Sequence, residues 1–339
     1  MTLDSRVSSS VEYRKPTLSP TAIDHAMICG RRLQYYMDPD VPHGGTNMSQ
    51  AVGRAWHWMM EQWGRLRMYT DTETHDEVMP LLIGGAELTE KPGDGWFNLL
   101  YAMGVGHLTE TIKSDEYIAR ADDDLDAACS TLWAMLTHWR QSPDAMWLGK
   151  GLKYQAVELR VLTEMGSEHH QMNGYIDAVL TLTTETSPEL SRYEGLSQRE
   201  IQTILVDYKS AGKVWGSDRV TFDEKLNRYI GDPRKIIQAP LYAEAWERTT
   251  GEVVDYVCFD VMTYKGKFMR VWVPVTPEKR APMLERWQQV SDEIVMYREA
   301  GKDMPANPGH FMCSEKWCPF WDRCPMGAPY TNSGKARGQ

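Results

Sequence analysis

Asp207-Tyr208-Lys209 places a carboxylate and an ammonium two residues apart, and on a strand that spacing sends both side chains to one face. Ile204, Leu205 and Val206 precede the pair as an apolar run that reads as a strand buried on both faces, so the charges would stand at a buried strand's end. A second acid, Asp177, closes the strand-like Gly174-Tyr175-Ile176-Asp177, and a third, Glu158, lies in the strand-like segment before it. Carboxylates converging from neighbouring strands suit Mg²⁺ or Mn²⁺, hard cations that prefer oxygen ligands and retain water. A metal beside an ammonium can activate water and offset the charge that develops as a phosphodiester is hydrolysed. Taken singly, Asp177 and Asp207 serve equally well as strand-end or turn residues, with Lys209 as a salt-bridge partner. Asp223-Glu224-Lys225 has the same spacing but no apolar run before it, and reads as a surface loop or helix.

Thiols form a second constellation. Cys313, Cys318 and Cys324 crowd into a short C-terminal stretch, and thiolates so close together call for oxidation or a metal, with a fourth ligand to complete the set. Six cysteines over a chain of 339 residues make a poor disulfide framework. Cys129 and Cys258 fall in apolar helix and strand patterns and read as buried bystanders.

The elements that must hold these residues follow from pattern. Ser19-Pro20 starts a helix carrying Ile23, Met27 and Leu33. An aromatic and Met-rich helix runs from Asn47 to about Met68, and helical patterns return over residues 96–140 after a linker with Pro80, Gly84 and Gly85. Residues 154–165 and 170–182 alternate as paired strands about a short turn. Beyond a polar stretch, 184–200, comes the strand ending in Asp207-Tyr208-Lys209, then a long polar loop, a helix over 234–248 and strands over 253–262 and 268–275. Thr276-Pro277 opens a final helix with Leu284, Trp287, Val290, Ile294 and Tyr297 on one stripe. From Gly301 the chain reads as loop.

The net charge of −10 excludes a protein that coats nucleic acid by bulk electrostatics, though not a local basic groove. Arg31, Arg32, Lys213, Lys225, Arg228, Arg234 and Lys235 are its candidates, each also readable as a solvated charge. No apolar run reaches about eighteen residues and the first residues lack a signal's apolar centre, so a cytoplasmic protein with no membrane partner is expected. No G-x-x-x-x-G-K-[ST] phosphate loop is present, so any duplex unwinding would come from a partner.

Gly174-Tyr175-Ile176-Asp177, Asp207-x-Lys209 and Gln238-x-x-x-Tyr242, in that order, resemble the PD-(D/E)XK nuclease superfamily in its RecB-like exonuclease branch. The resemblance implies that Asp177 and Asp207 hold the metal together with Tyr208, that Lys209 assists the attacking water, and that Gln238 and Tyr242 organise the site. Gln238 and Tyr242, four apart on an expected helix, share a face that a plain helix-to-core contact would also explain. Gly53-x-x-x-His57 resembles the metal-ligand histidine of exonuclease members, although a histidine among Trp56, Trp58 and Met59 is ordinarily a core residue. Glu158 matches an acidic position on the strand before the metal aspartate. Cys29, followed by Arg31 and Arg32, joins Cys313, Cys318 and Cys324 in a layout similar to the iron–sulfur members, including AddB-type and CRISPR-adaptation nucleases. Four residues separate the first two C-terminal cysteines, where two are commoner.

Expected, then, is an α/β protein with a restriction-endonuclease-like mixed sheet flanked by helices, a helical N-terminal region and a cysteine-rich C-terminal loop. Its divisions would be a flexible start (1–17), a helical region (18–150), the nuclease core (151–300), the cysteine segment (301–326) and a flexible tail (327–339). The function implied is a Mg²⁺- or Mn²⁺-dependent DNA exonuclease with a 4Fe–4S cluster, acting on DNA with an accessible end or a single strand, beside a helicase or recombination partner. Lys213, Arg31 and Arg32 are its candidate DNA contacts. Zn²⁺ in a Cys₄ site is the alternative to the cluster. A binding or assembly subunit without turnover is the alternative function, and a zinc-stapled hydrolase of another substrate is a third.

Overall fold

The computed structural model describes residues 15–41, 45–70, 94–114, 116–142, 152–183, 201–225, 228–254 and 256–330. The expected linker with Pro80, the polar stretch 184–200 and most of the two terminal segments lie outside these residues.

Ser19 starts the first helix, α1 (Pro20–Ile28), by accepting the Ala22 N–H on its hydroxyl at 3.1 Å, with Pro20 in the first turn where a missing N–H costs nothing. Cys29 breaks the helical path with an extended backbone, and α2 (Gly30–Met37) leaves in a new direction. The aromatic segment forms α3 (Met48–Thr70), and the pattern over 96–140 resolves into α4 (Asp94–Lys113) and α5 (Leu125–Gln141). Strands β2 (Leu152–Glu164), β3 (Gln171–Thr183) and β4 (Ile201–Ala211) follow. The expected long loop after β4 is in fact a hairpin, β5 (Val220–Asp223) and β6 (Arg228–Gly231). Its strands are only four residues long, too short for alternation to announce them. The decoy Asp223-Glu224-Lys225 therefore starts at a strand end, where Asp223 accepts the Lys225 N–H in its turn. Helix α6 (Gln238–Thr250), strands β7 (Tyr256–Thr263) and β8 (Phe268–Pro274) and helix α7 (Pro277–Glu299) complete the frame.

The result is an α/β fold whose mixed sheet runs β2-β3-β4-β7-β8-β6-β5, with helices on both faces. Strands β4 and β7 are parallel, which requires a crossover, and α6 lies on it. On one face α1, α6 and α7 bury Ile23, Leu241, Trp246 and Trp287 against Leu205, Val257 and Phe259. On the other, α3, α4 and α5 bury Trp56, Trp63, Phe97 and Trp139 against Ile204, Val206 and Tyr208. Strand β4 thus alternates between two cores, which is why its sequence is continuously apolar. The stripe on α7 packs as its spacing implies, with Trp287 and Val290 buried and Leu284, Ile294 and Tyr297 at the margin.

A two-residue strand, β1 (Thr17–Leu18), pairs in parallel with Gln171 and Met172 at the start of β3. The same edge of β3 pairs with β4 only from Ala178 onward. Between these pairings the sheet forks, and Asp177 stands at the fork.

Candidate active site

Past the Ala178–Val206 pair, β3 and β4 diverge, and Asp177 takes over where the ladder stops: its Oδ2 accepts the Tyr208 N–H at 2.6 Å. Asp207 and Lys209 follow on β4, and their side chains pair at 2.6 Å with Asp207 only 4 % exposed. Helix α3 crosses this end of the sheet and brings His57 Nδ1 to 3.7 Å from Asp177 Oδ2. The crossing is close because residue 53 has no side chain. A Cβ there would stand 2.6 Å from Ser210 Oγ on β4, and His57 lies one turn further along. Gly53→Ala should therefore push α3 off the sheet and weaken Mn²⁺ binding by on the order of ten- to a hundredfold. Adding Ser210→Ala, which leaves the nearest atom at 3.7 Å, should restore most of it. Titration calorimetry on the single and double variants reads both outcomes; a Gly53→Ala protein that binds like the parent would refute this account of how His57 is placed.

Strands β2 and β3 break their pleat together at the site. Leu159 and Val161 pack with the α6 layer but Val157 with the α3 layer, and Ile176 and Ala178 likewise divide between the two. The break falls at Glu158, flanked by the pairs Leu159–Ile176 and Val157–Ala178. Glu158 has φ 49°, the one positive φ outside glycine among the described residues. Such a backbone costs a longer side chain roughly 1–2 kcal/mol, and irregularities of this kind re-aim side chains beside functional sites. Here it turns Glu158 into the cleft that His57 lines.

Electrostatics mark the same group. Burial pushes the Asp207 carboxyl up to about 6, with Lys209 pulling it down and Asp177 pushing it further up. Asp177 is likewise raised to about 6 by burial, opposed by Lys209 and by the Tyr208 N–H. Burial, then the neighbouring Asp177, raises Glu158 to about 7. Burial lowers His57 to about 4, so its imidazole is neutral at physiological pH and has a lone pair for a metal. Burial also pulls the Lys209 ammonium down, but Asp207 and Asp177 outweigh it and leave it raised, hence charged. Acids held above their usual range chiefly by burial, with a neutral imidazole and a cation alongside, form a donor set that a divalent ion would relax. No three His, Cys, Asp or Glu side chains are gathered as a finished metal cage among the described residues. Mg²⁺, which keeps several waters and takes one or two carboxylates, does not need one.

The other expected residues divide. Gln238 begins α6, and Tyr242, one turn on, is packed over Gly174, whose missing Cβ would lie 3.0 Å from the ring. Burial first, then Asp207 and Asp177, drive the Tyr242 phenol far up, so it stays protonated. Tyr208 is different: its ring lies in the α3-side core, with its hydroxyl 3.3 Å from that of Tyr154, so only its main chain is at the fork. Lys213 is exposed just beyond β4. Arg31 pairs with Asp303 at 2.5 Å, and Arg32 donates to His25 and lines the cysteine pocket. Among the wider basic candidates Arg228 is buried, stacked over Tyr256 and Trp272, Arg234 pairs with Asp232, and Lys235 bonds the Asp218 carbonyl. Arg228 is thus withdrawn from solvent, whereas Arg234 and Lys235 stay exposed.

Two acids escaped the sequence reading. Glu61 lies four residues after His57 on α3 and lines the same cleft, a spacing that a helical reading of that segment contained. Asp24 on α1 feels Lys209 and Asp207 and is raised by burial to about 6. Only the packing of α1 under β3 brings it there, and no local pattern signals that.

At the other end of α1 the four expected cysteines share one pocket. Cys29, Cys313, Cys318 and Cys324 line it with Arg31, Arg32, Tyr35 and Phe320, and all four are free thiols. Residues 301–327 run as turns and extended chain, held to α2 by the Arg31 N–H on the Pro305 carbonyl, by Gln34 on Asp303 and by Tyr35 on the Arg323 carbonyl. The Asn307 N–H points at Cys29 Sγ at 3.3 Å. Burial raises the Cys313 thiol, and Cys29, Cys318 and Cys324 raise it further. Burial likewise raises the Cys318 thiol. Cys258 is fully buried in the sheet and Cys129 half-buried on α5, both away from this pocket.

No curated protein sequence matches the chain. Among solved structures, the crystal structure of a proposed exonuclease from Eubacterium rectale is similar at 14 % identity and a TM-score of 0.39, covering 81 % of this chain and 89 % of that one. The sequence profile of the PD-(D/E)XK nuclease superfamily matches residues 17–325, a span that begins at β1, includes every strand around the fork and ends after Cys324. With that match over most of its length, the chain belongs to the PD-(D/E)XK nuclease superfamily.

Proposed function

We propose that this protein is a divalent-metal-dependent deoxyribonuclease of the RecB-like exonuclease branch. The observation that carries the reading is the fork itself, where Asp177 and Asp207 converge beside a charged Lys209 and a neutral His57. Asp177 and Asp207 would hold Mg²⁺ or Mn²⁺, with His57 and the Tyr208 main chain as further ligands; the ion supplies positive charge and an activated water when bound. The chain's own groups do the rest. Lys209 donates to the attacking water or to a phosphate oxygen and stays charged because the two acids keep it so. Glu158, raised to about 7, is placed to exchange a proton near neutral pH. Tyr242 and Gln238, from α6, orient the phosphate by hydrogen bonding.

Cys29, Cys313, Cys318 and Cys324 would hold a 4Fe–4S cluster, with Zn²⁺ as the competing occupant, and tie the chain's two ends together. Anaerobically purified protein should carry about four irons and a visible absorbance that Cys318→Ser removes; zinc without iron would assign the pocket to the competitor. Lys213 is kept as a DNA contact because it is exposed near the fork, whereas Arg31 and Arg32 are assigned to the cysteine pocket. A helicase or recombination partner would supply strands.

Digestion of end-labelled linear DNA, compared with covalently closed circles, tests the activity. Linear DNA should shorten from an end only with Mg²⁺ or Mn²⁺, and circles should survive. Binding without turnover under all metals would favour the assembly subunit instead.

A further inference from the structure

The cleft beside the fork measures about 730 Å³, and its walls are unequal. On the sheet side stand Glu158 and Ser210; on the helical side α3 contributes Gln50, Arg54, His57, Trp58 and Glu61, spacings that trace one helix face, and α4 contributes His107 and Thr111. The other two tryptophans of α3 described in the core, Trp56 and Trp63, are at most 1 % exposed, whereas Trp58 stays half-buried on the cleft wall. Its ring stacks on that of His107, centroids 5.2 Å apart and planes 14° from parallel. Burial lowers the His107 imidazole, leaving it neutral.

Charge on this wall is poor for phosphate capture. Arg54 is paired with Glu116 at 3.3 Å, Glu61 and Glu158 are acidic, and the whole chain carries −10. A strand entering here gains little from neutralising phosphates, so its affinity must come from another source.

We propose that Trp58 and His107 form a stacking platform that holds an unpaired base of the strand being cut, a binding role for two residues outside the metal site. The inference rests on the nuclease reading above and names what that nuclease holds. An aromatic pair accepts any base because every base has a flat face, and in a duplex the interior faces are covered by neighbouring pairs. The platform lines the same cleft as His57 and Glu158, so a base stacked on it would lead its strand along the wall beside the fork. Trp58 is here a substrate-binding residue rather than part of the metal site.

The test uses full-length protein and thymidine oligonucleotides with a single abasic position moved along the strand, with binding read by fluorescence anisotropy in chelator and cleavage read with Mn²⁺. Trp58→Ala should weaken single-strand affinity by on the order of ten- to a hundredfold, raise KM by a similar factor and leave kcat within a few-fold. Trp58→Phe should keep most of the affinity. One abasic position should reproduce the loss with the parent protein and add little to it in Trp58→Ala. Affinity should also fall only gently with salt. His107→Ala, on the other helix, repeats the test if Trp58→Ala does not fold. Equal affinity of parent and Trp58→Ala, or additive losses from variant and abasic strand, would overturn the platform while metal-dependent cutting continued; absence of cutting by the parent protein would instead count against the nuclease reading.

Discussion

Lys209→Ala should lower the single-turnover rate of DNA cleavage by on the order of a hundred- to a thousandfold, the scale of losing one preorganised charge from a buried transition-state site. The ammonium has two jobs at 2.6 Å from Asp207. In the proposed mechanism it serves the reacting phosphate, and it is the largest influence holding the Asp207 carboxyl down against burial. Without it Asp207 should rise above about 6, so the residual activity should require higher pH than the parent's. Asp207→Ala should differ in kind, removing Mn²⁺ binding together with cleavage. Rates on a labelled oligonucleotide across the neutral and alkaline range, with metal affinity measured in parallel, separate the two. A Lys209→Ala enzyme with the parent's rate and profile would exclude the lysine from the chemistry.

Asp177→Asn should abolish cleavage and yet raise the melting temperature of the metal-free protein at neutral pH. The sign follows from proton linkage. A carboxylate raised from 3.8 to about 6 binds more protons folded than unfolded between those values, so folding stability is lost as pH rises through that window. About two pKa units correspond to roughly 3 kcal/mol as an upper limit. Asp207, Asp24 and Glu158 push the same way. His57, lowered to about 4, pushes the other way, losing stability as pH falls below 6.5. Four raised acids outweigh one histidine, so metal-free protein should melt higher at about pH 5 than at about pH 7.5. Asparagine keeps an acceptor for the Tyr208 N–H while removing the charge. Mn²⁺ should stabilise the parent more at the higher pH, where the acids are ionised, and Asp177→Asn little at either. Thermal melts in chelator and in Mn²⁺ read all of this; a variant less stable than the parent in chelator would mean that Asp177 is a structural acid.

The central strands and the site's main residues were legible because their signals are local. Ile204 to Val206 had to alternate between two cores, and Asp207 and Lys209 had to share the face that follows. Gly53 and Gly174 were visible as motif glycines, and the close approaches of Ser210 and Tyr242 give them a physical cause. What stayed hidden depends on contacts between distant segments or on elements too short for a period. The β5–β6 hairpin has four-residue strands, and β1 has two. Asp24 reaches Lys209 only through the docking of α1, and the pleat break at Glu158 needs both strands to be known. The partners of Arg31 and Arg32 were hidden for the same reason, since Asp303 and the cysteine tail that engage them are far along the chain.

The most direct test of a metal-loaded fork is cutting of end-labelled linear DNA by the parent protein, Asp177→Asn and Asp207→Ala, each with Mn²⁺ and with chelator. The parent should cut with Mn²⁺ and stop in chelator, and neither variant should cut in either condition. Undiminished cutting by either variant, or by the parent in chelator, would contradict the assignment of Asp177 and Asp207 as the acids that hold the catalytic metal.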